Sequence, residues 1–549
     1  MTEHRWARHF SLSIAGAIVG VLFFAASLTP SLVPRSPLIQ GGVSGVSLAA
    51  GYGVGILVAR LFGLLQIGSP DGQSLRRLKL AVLAICIAAA LLSLWWASGW
   101  QARLLAVMGM PPQESSGSLV IASVSIAVFV ALLLIARGFA FVNRRLSARF
   151  GRYVPPRPAV LLAFLATAGL FWSIGNGVLA TRAMRSLDAL YRELDARFEE
   201  TSPQPTQATK TGGPGSLMTW ASLGRRGRQM VAAGPDRDKI QKEGGAPAQE
   251  PLRVYVGLNS AETPGDRARL ALEELKRIRA FERANLVIVT PTGSGWVDPE
   301  SQAALEYVMR GDVASVSVQY SYLASWIALL AAPEYGAETA RATFAAVYGH
   351  WRSLPKGKRP KLYLHGLSLG AFNSDLSHDL FQVIGDPYDG ALWSGPPFNS
   401  RTWSEVTAQR NPGTPEWLPE FRDGSVIRFS AQENRAKSAP AAWGPYRLIY
   451  LQYASDAVTF FDPHALWRKP DWMAAPRGPD VSPDLVWIPV VTFLQLTFDM
   501  MLAVTPPKGH GHVYLFEHYV DCWAALTDAP GWSQEGLQAL KQNVGAERR

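Results

Sequence analysis

Cysteine is nearly absent: the 549-residue chain has two, Cys86 inside an apolar run and Cys522 in a C-terminal helical pattern. Such a pair gives no basis for a disulfide scaffold or for a cysteine-based metal site, and no metal or other cofactor is expected. Acidic residues are scarce in the first third. Residues 1–185 hold three Asp and Glu against 16 Lys and Arg, while the remainder holds 40 against 37. The formal net charge of +10 therefore belongs to the N-terminal part. A basic footprint on the C-terminal region is missing, which argues against a nucleic-acid partner. No repeat with a period of 20 to 50 residues is apparent, so a solenoid or propeller is not expected.

What the chain does have is apolar length. Its hydrophobic content is 48% and its mean hydropathy +0.07, high for a wholly soluble protein. Apolar runs at about 11–33, 42–65, 79–99, 118–136 and 159–180 each approach the roughly 20 residues that cross a bilayer. They predict an α-helical transmembrane domain of five spans over residues 1–181, with membrane lipids as its partners. The first run starts like a signal peptide, but it is longer than an h-region and ends at no clear small-residue cleavage site, so it reads as a retained span. Arg60 lies near the end of the second run, where its side chain can snorkel to the interface.

Basic residues fix the orientation. Arg5 and Arg8, then Arg76, Arg77 and Lys79, then Arg137, Arg144, Arg145, Arg149, Arg152 and Arg157 fall on alternate flanks, whereas the other flanks hold only Arg35, Arg103, Arg182 and Arg185. The positive-inside rule places the N-terminus in the cytoplasm and, after five spans, everything beyond about 181 on the far side. In a bacterium this means a multi-pass protein of the cell inner membrane whose C-terminal part is periplasmic or extracellular.

Residues 182–250 read as a stalk helix and linker. Leu187, Leu190, Leu194 and Phe198 recur at helical spacing, and "TSPQPTQATKTGGPGS" follows with a linker composition. From 251 to 549 short apolar runs alternate with amphipathic stretches: "RVYVGL", a helix over 266–281, "NLVIVTPTGSGW", a helix over 299–310, "VASVSVQYSYL", a helix over 338–352 and "KLYLHG". "DGALWSG", "RLIYLQYAS" and a last helix over about 513–526 complete the series. That alternation predicts an α/β domain with a mostly parallel sheet.

Within it, "LHGLSLGAF" places Ser368 between Gly366 and Gly370, after a buried-strand pattern and before a helical one. G-x-S-x-G alone is weak, but strand, sharp turn and helix are what a nucleophile elbow needs. A serine nucleophile requires a base, and the base an orienting carboxylate. Asp456, ending "RLIYLQYAS", is the candidate acid, with Asp462 as its rival; Asp462 precedes Pro463 and also suits a cap. His512, in "PPKGHGHVYLFEHY", is the candidate base. His510 lies two residues away and suggests a metal pair, but no further ligands are arranged around it. For the oxyanion the donors would be the N–H of Leu369 and that of Thr292 or Gly293 in "TPTGSGW", since Pro291 has none.

Together "WASLGRRGRQMV", "RVYVGL", "VIVTPTGSGWVDP", "VQYSYLASW", "RPKLYLHGLSLG" and "PPKGHGHVY" resemble a bacterial membrane-anchored α/β-hydrolase family. Its members join a multi-span N-terminal domain to a catalytic domain. The resemblance implies a Ser-Asp-His triad at Ser368, Asp456 and His512. Leu367 departs from the acidic residue often found before the family's serine, which alters pocket polarity but no triad member.

The function expected is hydrolysis of carboxylic esters, with an ester or lipid-like substrate, through an acyl-enzyme. An acyltransferase using the same intermediate is the nearest alternative. A non-catalytic membrane scaffold retaining the fold is the alternative from another class. The oligomeric state is not legible. One run complicates the reading: "DLVWIPVVTFLQLTFDMMLAV" could pass for a sixth span, but Pro489, Gln495 and Asp499 interrupt it. It reads instead as a buried or membrane-facing helix, and no last strand is obvious before the histidine. Trp467, Trp472 and Trp487 in the same region suit core packing first, an acyl pocket or an interface second.

Overall fold

The structure is a computed structural model and describes residues 12–64, 72–112, 117–244, 247–323, 327–328 and 333–548. Arg5 and Arg8 lie outside them. The chain forms two compact units: one of residues 1–185, 462–473 and 481–502, the other of residues 186–461, 474–480 and 503–549.

The first unit is helical, with α1 (Ile14–Ser27), α2 (Pro37–Leu64), α3 (Gly72–Val107), α4 (Ser118–Phe150) and α5 (Pro156–Trp172). Among the described residues four helical stretches are long and apolar enough to cross a membrane: α2, α3, α4, and α5 with its continuation to Gly177. The first of the five expected spans falls on α1, a shorter apolar helix of 14 residues with a rise of about 21 Å. The run stops at Ser27 because Pro30 and Pro34 follow, and neither continues a helix.

Helix α2 is the centre of this unit. A Cβ on Gly51 or Gly55 would come within 2.6 or 2.3 Å of a carbonyl oxygen of α1, and one on Gly45 within 2.8 Å of a carbonyl oxygen of α4. Glycine at these positions is what lets three backbones pack so closely.

The apolar run 484–504 is not a sixth span. Its helix, Val491–Met501, has 11 residues and is packed against α1 and α2. Two of the residues that interrupt its apolar pattern, Gln495 and Asp499, dock it. Asp499 accepts from Arg35 Nε at 2.9 Å and from the Leu32 N–H at 3.0 Å, and Gln495 Nε2 donates to the Thr29 carbonyl at 2.9 Å. Arg35 also donates to Ser31 and to Gln40, and both members of the ion pair are buried. Of the three tryptophans, Trp472 is buried, Trp467 is exposed, and Trp487 donates to the Ala465 carbonyl at 2.9 Å.

The second unit is built on seven strands: β1 (Leu252–Val256), β2 (Asn285–Thr290), β3 (Val313–Val318), β4 (Lys361–Leu367), β5 (Gly390–Ser394), β6 (Ile427–Ser430) and β7 (Arg447–Leu451). They form one sheet in the order β1-β3-β2-β4-β5-β7-β6, every pair parallel. The strands are buried nearly throughout, which is why they read as apolar runs without alternation. Helix Pro264–Arg277 pairs with Pro333–Ser353, and Pro299–Val308 with Phe516–Thr527. A further helix, Gln534–Arg548, follows the last one read from the sequence.

Register brings four strand ends level: Thr290 is beside Gly366, Leu367 beside Ser394, and Ser394 beside Leu451. The missing last strand has a topological explanation. Beyond β7 the outer position is filled by β6, which precedes β7 in the chain, so the residues between β7 and His512 are released for other packing.

The stretch 201–216, read above as a linker, packs within this unit. Thr211 is fully buried and donates to the Arg253 carbonyl at 3.1 Å, and Ser216 donates to Glu274 at 2.7 Å.

Candidate active site

Ser368 is the single residue between β4 and helix Leu369–Asp375, and its backbone has φ 58° and ψ −126°. A non-glycine residue in that region is strained, and it persists where the surroundings over-determine it. Here they do. The Ser368 N–H donates to the Ser394 carbonyl at 2.9 Å. A Cβ on Gly366 would lie 2.3 Å from the carbonyl carbon of Gly370, and one on Gly370 would lie 2.2 Å from the Thr290 carbonyl oxygen. The two glycines of the motif are thus required by backbone crossing backbone. Leu369 opens the helix, so its N–H has no partner within it by position, which suits an oxyanion donor.

The candidate acid and the candidate base meet. His512 Nδ1 lies 2.7 Å from Asp456 Oδ2, with His512 6% exposed and Asp456 fully buried. A carboxylate only accepts, so Nδ1 is the donor. The Nε2 of His512 is buried and has no hydrogen-bond partner among the described residues, Ser368 Oγ included. Contacts of this kind are often open without substrate and tighten when it binds. Gly395, which follows Ser394, has φ 49°; a Cβ there would fall 2.6 Å from His512 Cε1 and 2.9 Å from Asp456 Oδ2. The chain segment that holds the Ser368 N–H therefore also walls the imidazole.

The rivals stand elsewhere. Asp462 belongs to the other unit and caps the turn Pro463–Leu466, accepting from the His464 N–H at 2.8 Å. His510 is held in a tight turn, its N–H bonded to the Pro507 carbonyl, and Asp456 pairs with His512 instead. Of the two oxyanion candidates in the loop after β2, Thr292 spends its N–H on the Trp296 carbonyl at 2.9 Å, which corrects that candidate.

Sequence reading missed two parts of the site. Tyr514 donates to Asp456 Oδ2 at 2.6 Å, and burial together with that carboxylate pushes its phenol well above the ordinary range. The i, i+2 spacing from His512 was the available signal. Asp456 also accepts from the Val458 N–H at 2.9 Å and from Thr459 Oγ1 at 3.4 Å. It is an acid saturated with donors, fixed in place rather than free to move.

His365, three residues before Ser368, belongs to the core. Its Nδ1 donates to the Leu392 carbonyl at 2.7 Å, its Nε2 accepts from Ser301 at 2.8 Å, and burial holds it neutral with a pKa lowered to about 4. A cavity of about 400 Å³ opens among residues 413–440, lined by Trp417, Phe421 and Arg428; none of the triad residues lines it.

Comparison with known families bears on the fold. Residues 252–540 match the model of an alpha/beta-hydrolase family, and residues 28–235 match the model of the N-terminus of an alpha/beta-hydrolase family. No curated protein and no solved structure matches the chain. With the first of these models covering more than half of its length, the chain belongs to the alpha/beta-hydrolase family, with that family's N-terminal domain ahead of the catalytic fold.

Proposed function

We propose that the protein is a membrane-anchored serine hydrolase that cleaves carboxylic esters, with Ser368 as nucleophile, His512 as base and Asp456 as the group that orients it. One observation carries this reading: a buried histidine bonded through Nδ1 to a buried carboxylate, its Nε2 unpartnered among the described residues, in the same unit as a serine held at positive φ.

In this reading Ser368 Oγ attacks the ester carbonyl carbon as its proton passes to His512 Nε2. The tetrahedral oxyanion is met by the N–H groups of Leu369 and Gly293. The C–O bond to the alcohol breaks, His512 returns the proton to the departing oxygen, and an acyl-enzyme remains. Water, deprotonated by the same nitrogen, then releases the acid.

Location supports the choice of lipid or cell-envelope esters as substrates. The basic residues Arg76, Arg77 and Lys79 at the start of α3, and Arg144, Arg145, Arg149, Arg152 and Arg157 around the α4–α5 connection, support a cytoplasmic side for those ends. Helix α5 then leads to the far side whether or not α1 crosses. The periplasmic or extracellular placement of the catalytic unit thus rests on α2 to α5, and only the side of the N-terminus depends on α1.

Fluorophosphonate labelling of membranes containing wild type, Ser368→Ala and His512→Ala, beside a short-chain ester assay, tests the reading. Labelling and turnover lost in Ser368→Ala and strongly reduced in His512→Ala are expected. A folded wild type that neither labels nor turns over ester would move the assignment to a scaffold retaining the fold. Product analysis with added alcohol separates hydrolysis from acyl transfer.

A further inference from the structure

Asp480 is a buried carboxylate outside the triad, 3% exposed and remote in sequence from the motifs above. It ends the stretch 474–480, the part of the chain between Asp462 and Leu502 that packs in the catalytic unit, whereas 462–473 and 481–502 pack with the helical unit. Its Oδ2 accepts from Ser455 Oγ at 2.5 Å and from Gln432 Nε2 at 2.7 Å.

Ser455 immediately precedes the acid Asp456, and its hydroxyl accepts the N–H of Gly511 at 2.8 Å; Gly511 immediately precedes the base His512. A hydroxyl has one proton. With the Gly511 N–H arriving as donor, that proton is directed to Asp480, and a charged acceptor makes the bond short and strong. The second arm reaches the same loop, since Gln432 Nε2 also donates to the Gly509 carbonyl at 3.4 Å. Two loops that each carry one half of the acid–base pair are therefore pinned together one residue before each catalytic side chain, and both pins end on one carboxylate.

We propose that Asp480 is a positioning residue which, through Ser455, holds the acid loop and the histidine loop in catalytic register. The assignment rests on the hydrolase reading above. It also accounts for the path of the chain, which returns to the catalytic unit over 474–480 and there delivers this carboxylate. The bond at stake is not the His512–Asp456 contact itself but the alignment of the two backbones that makes the contact possible.

The test uses the full-length protein in detergent and follows kcat, KM and the rate of fluorophosphonate labelling at Ser368. Ser455→Ala is expected to lower kcat and the labelling rate together by about tenfold to a hundredfold, with KM within about twofold, as misplaced catalytic groups do. Ser455→Thr keeps the hydroxyl and is expected to stay within about threefold of wild type. Asp480→Asn keeps shape and an acceptor oxygen but loses the charge; a fall in kcat of about threefold to tenfold at unchanged KM is expected, independent of any folding defect in Ser455→Ala. Wild-type kcat and labelling rate in a folded Ser455→Ala, or in Asp480→Asn, overturn the assignment and leave the hydrolase reading standing. A wild type that does not label overturns both.

Discussion

Tyr514 Oη and His512 Nδ1 converge on the same atom, Oδ2 of Asp456, at 2.6 and 2.7 Å. His512 is thus held by a carboxylate oxygen that a phenol holds as well, and the phenol lies two residues along the same loop. Tyr514→Phe removes one charge-assisted bond from a fully buried carboxylate and leaves the ring in place. A loss of about 1.5–3 kcal/mol of stability is expected, with the fold retained. Denaturant unfolding beside wild type checks it, and an unchanged midpoint would mean that the phenol contributes nothing to holding the acid.

Gly395→Ala is expected to lower ester turnover on the order of a hundredfold without replacing Ser368, Asp456 or His512. Its Cβ would land 2.6 Å from His512 Cε1 and 2.8 Å from Nδ1, at a backbone φ of 49° that alanine adopts at a cost. The imidazole has to move off Asp456, and a displacement of about 1 Å costs on the order of a hundredfold in rate. Ester turnover by a protein with a wild-type circular dichroism spectrum is the measurement. Full activity would show that His512 does not occupy this position during catalysis.

Ser368 stores strain that a glycine would release. Ser368→Gly is expected to be inactive yet more stable than Ser368→Ala by about 1–3 kcal/mol, because glycine accepts φ 58° freely and alanine does not. Comparing the unfolding midpoints of the two inactive variants isolates the backbone term. Equal midpoints would remove strain from the account of the elbow.

Two buried groups pull the pH dependence of stability in opposite directions. His365 has its pKa lowered from 6.5 to about 4 by burial, so between those values the unfolded chain binds the extra proton and stability rises with pH. Asp298 has its carboxyl pushed up from 3.8 to about 6, also by burial, so between those values the folded chain binds the extra proton and stability falls with pH. Each full transition is worth about 3 kcal/mol. Asp298→Asn keeps the cap on the Glu300 N–H and is expected to steepen the rise of stability from pH 4 to 6 while stabilising the protein at pH 7. Unfolding midpoints measured across that range decide it; a slope identical to wild type would place the Asp298 titration outside the window.

In the helical unit the Arg35–Asp499 pair, 2.7 Å apart and buried, fastens helix Val491–Met501 to the α1–α2 connection. Arg35→Met leaves a buried carboxylate without its cation, at an expected cost of about 3–5 kcal/mol. Arg35→Met with Asp499→Leu removes both charges and is expected to recover most of that loss. Thermal melting in detergent separates the two, and a double variant no more stable than the single one would locate the cost in lost packing.

The sequence by itself determined the elements whose pattern is local. Apolar runs of membrane length, parallel strands buried on both faces, and a glycine-flanked serine between strand and helix are written in contiguous residues, and so α2 to α5, the sheet and Ser368 were legible. The pairing of Asp456 with His512 was expected from chain order, and the structure brings the two side chains to 2.7 Å. Tertiary structure decided what depends on residues far apart. It placed β6 outside β7, leaving no strand before His512. It turned the apolar run 484–504 into a docked helix, because Asp499 finds Arg35 464 positions away. It consumed the Thr292 N–H within its own loop and brought Tyr514, Gly395, Ser455 and Asp480 around the acid and the base. Hydrophobic pattern is a property of neighbours along the chain, whereas hydrogen-bond partners in a buried site are chosen by strand order and register. No local pattern records them.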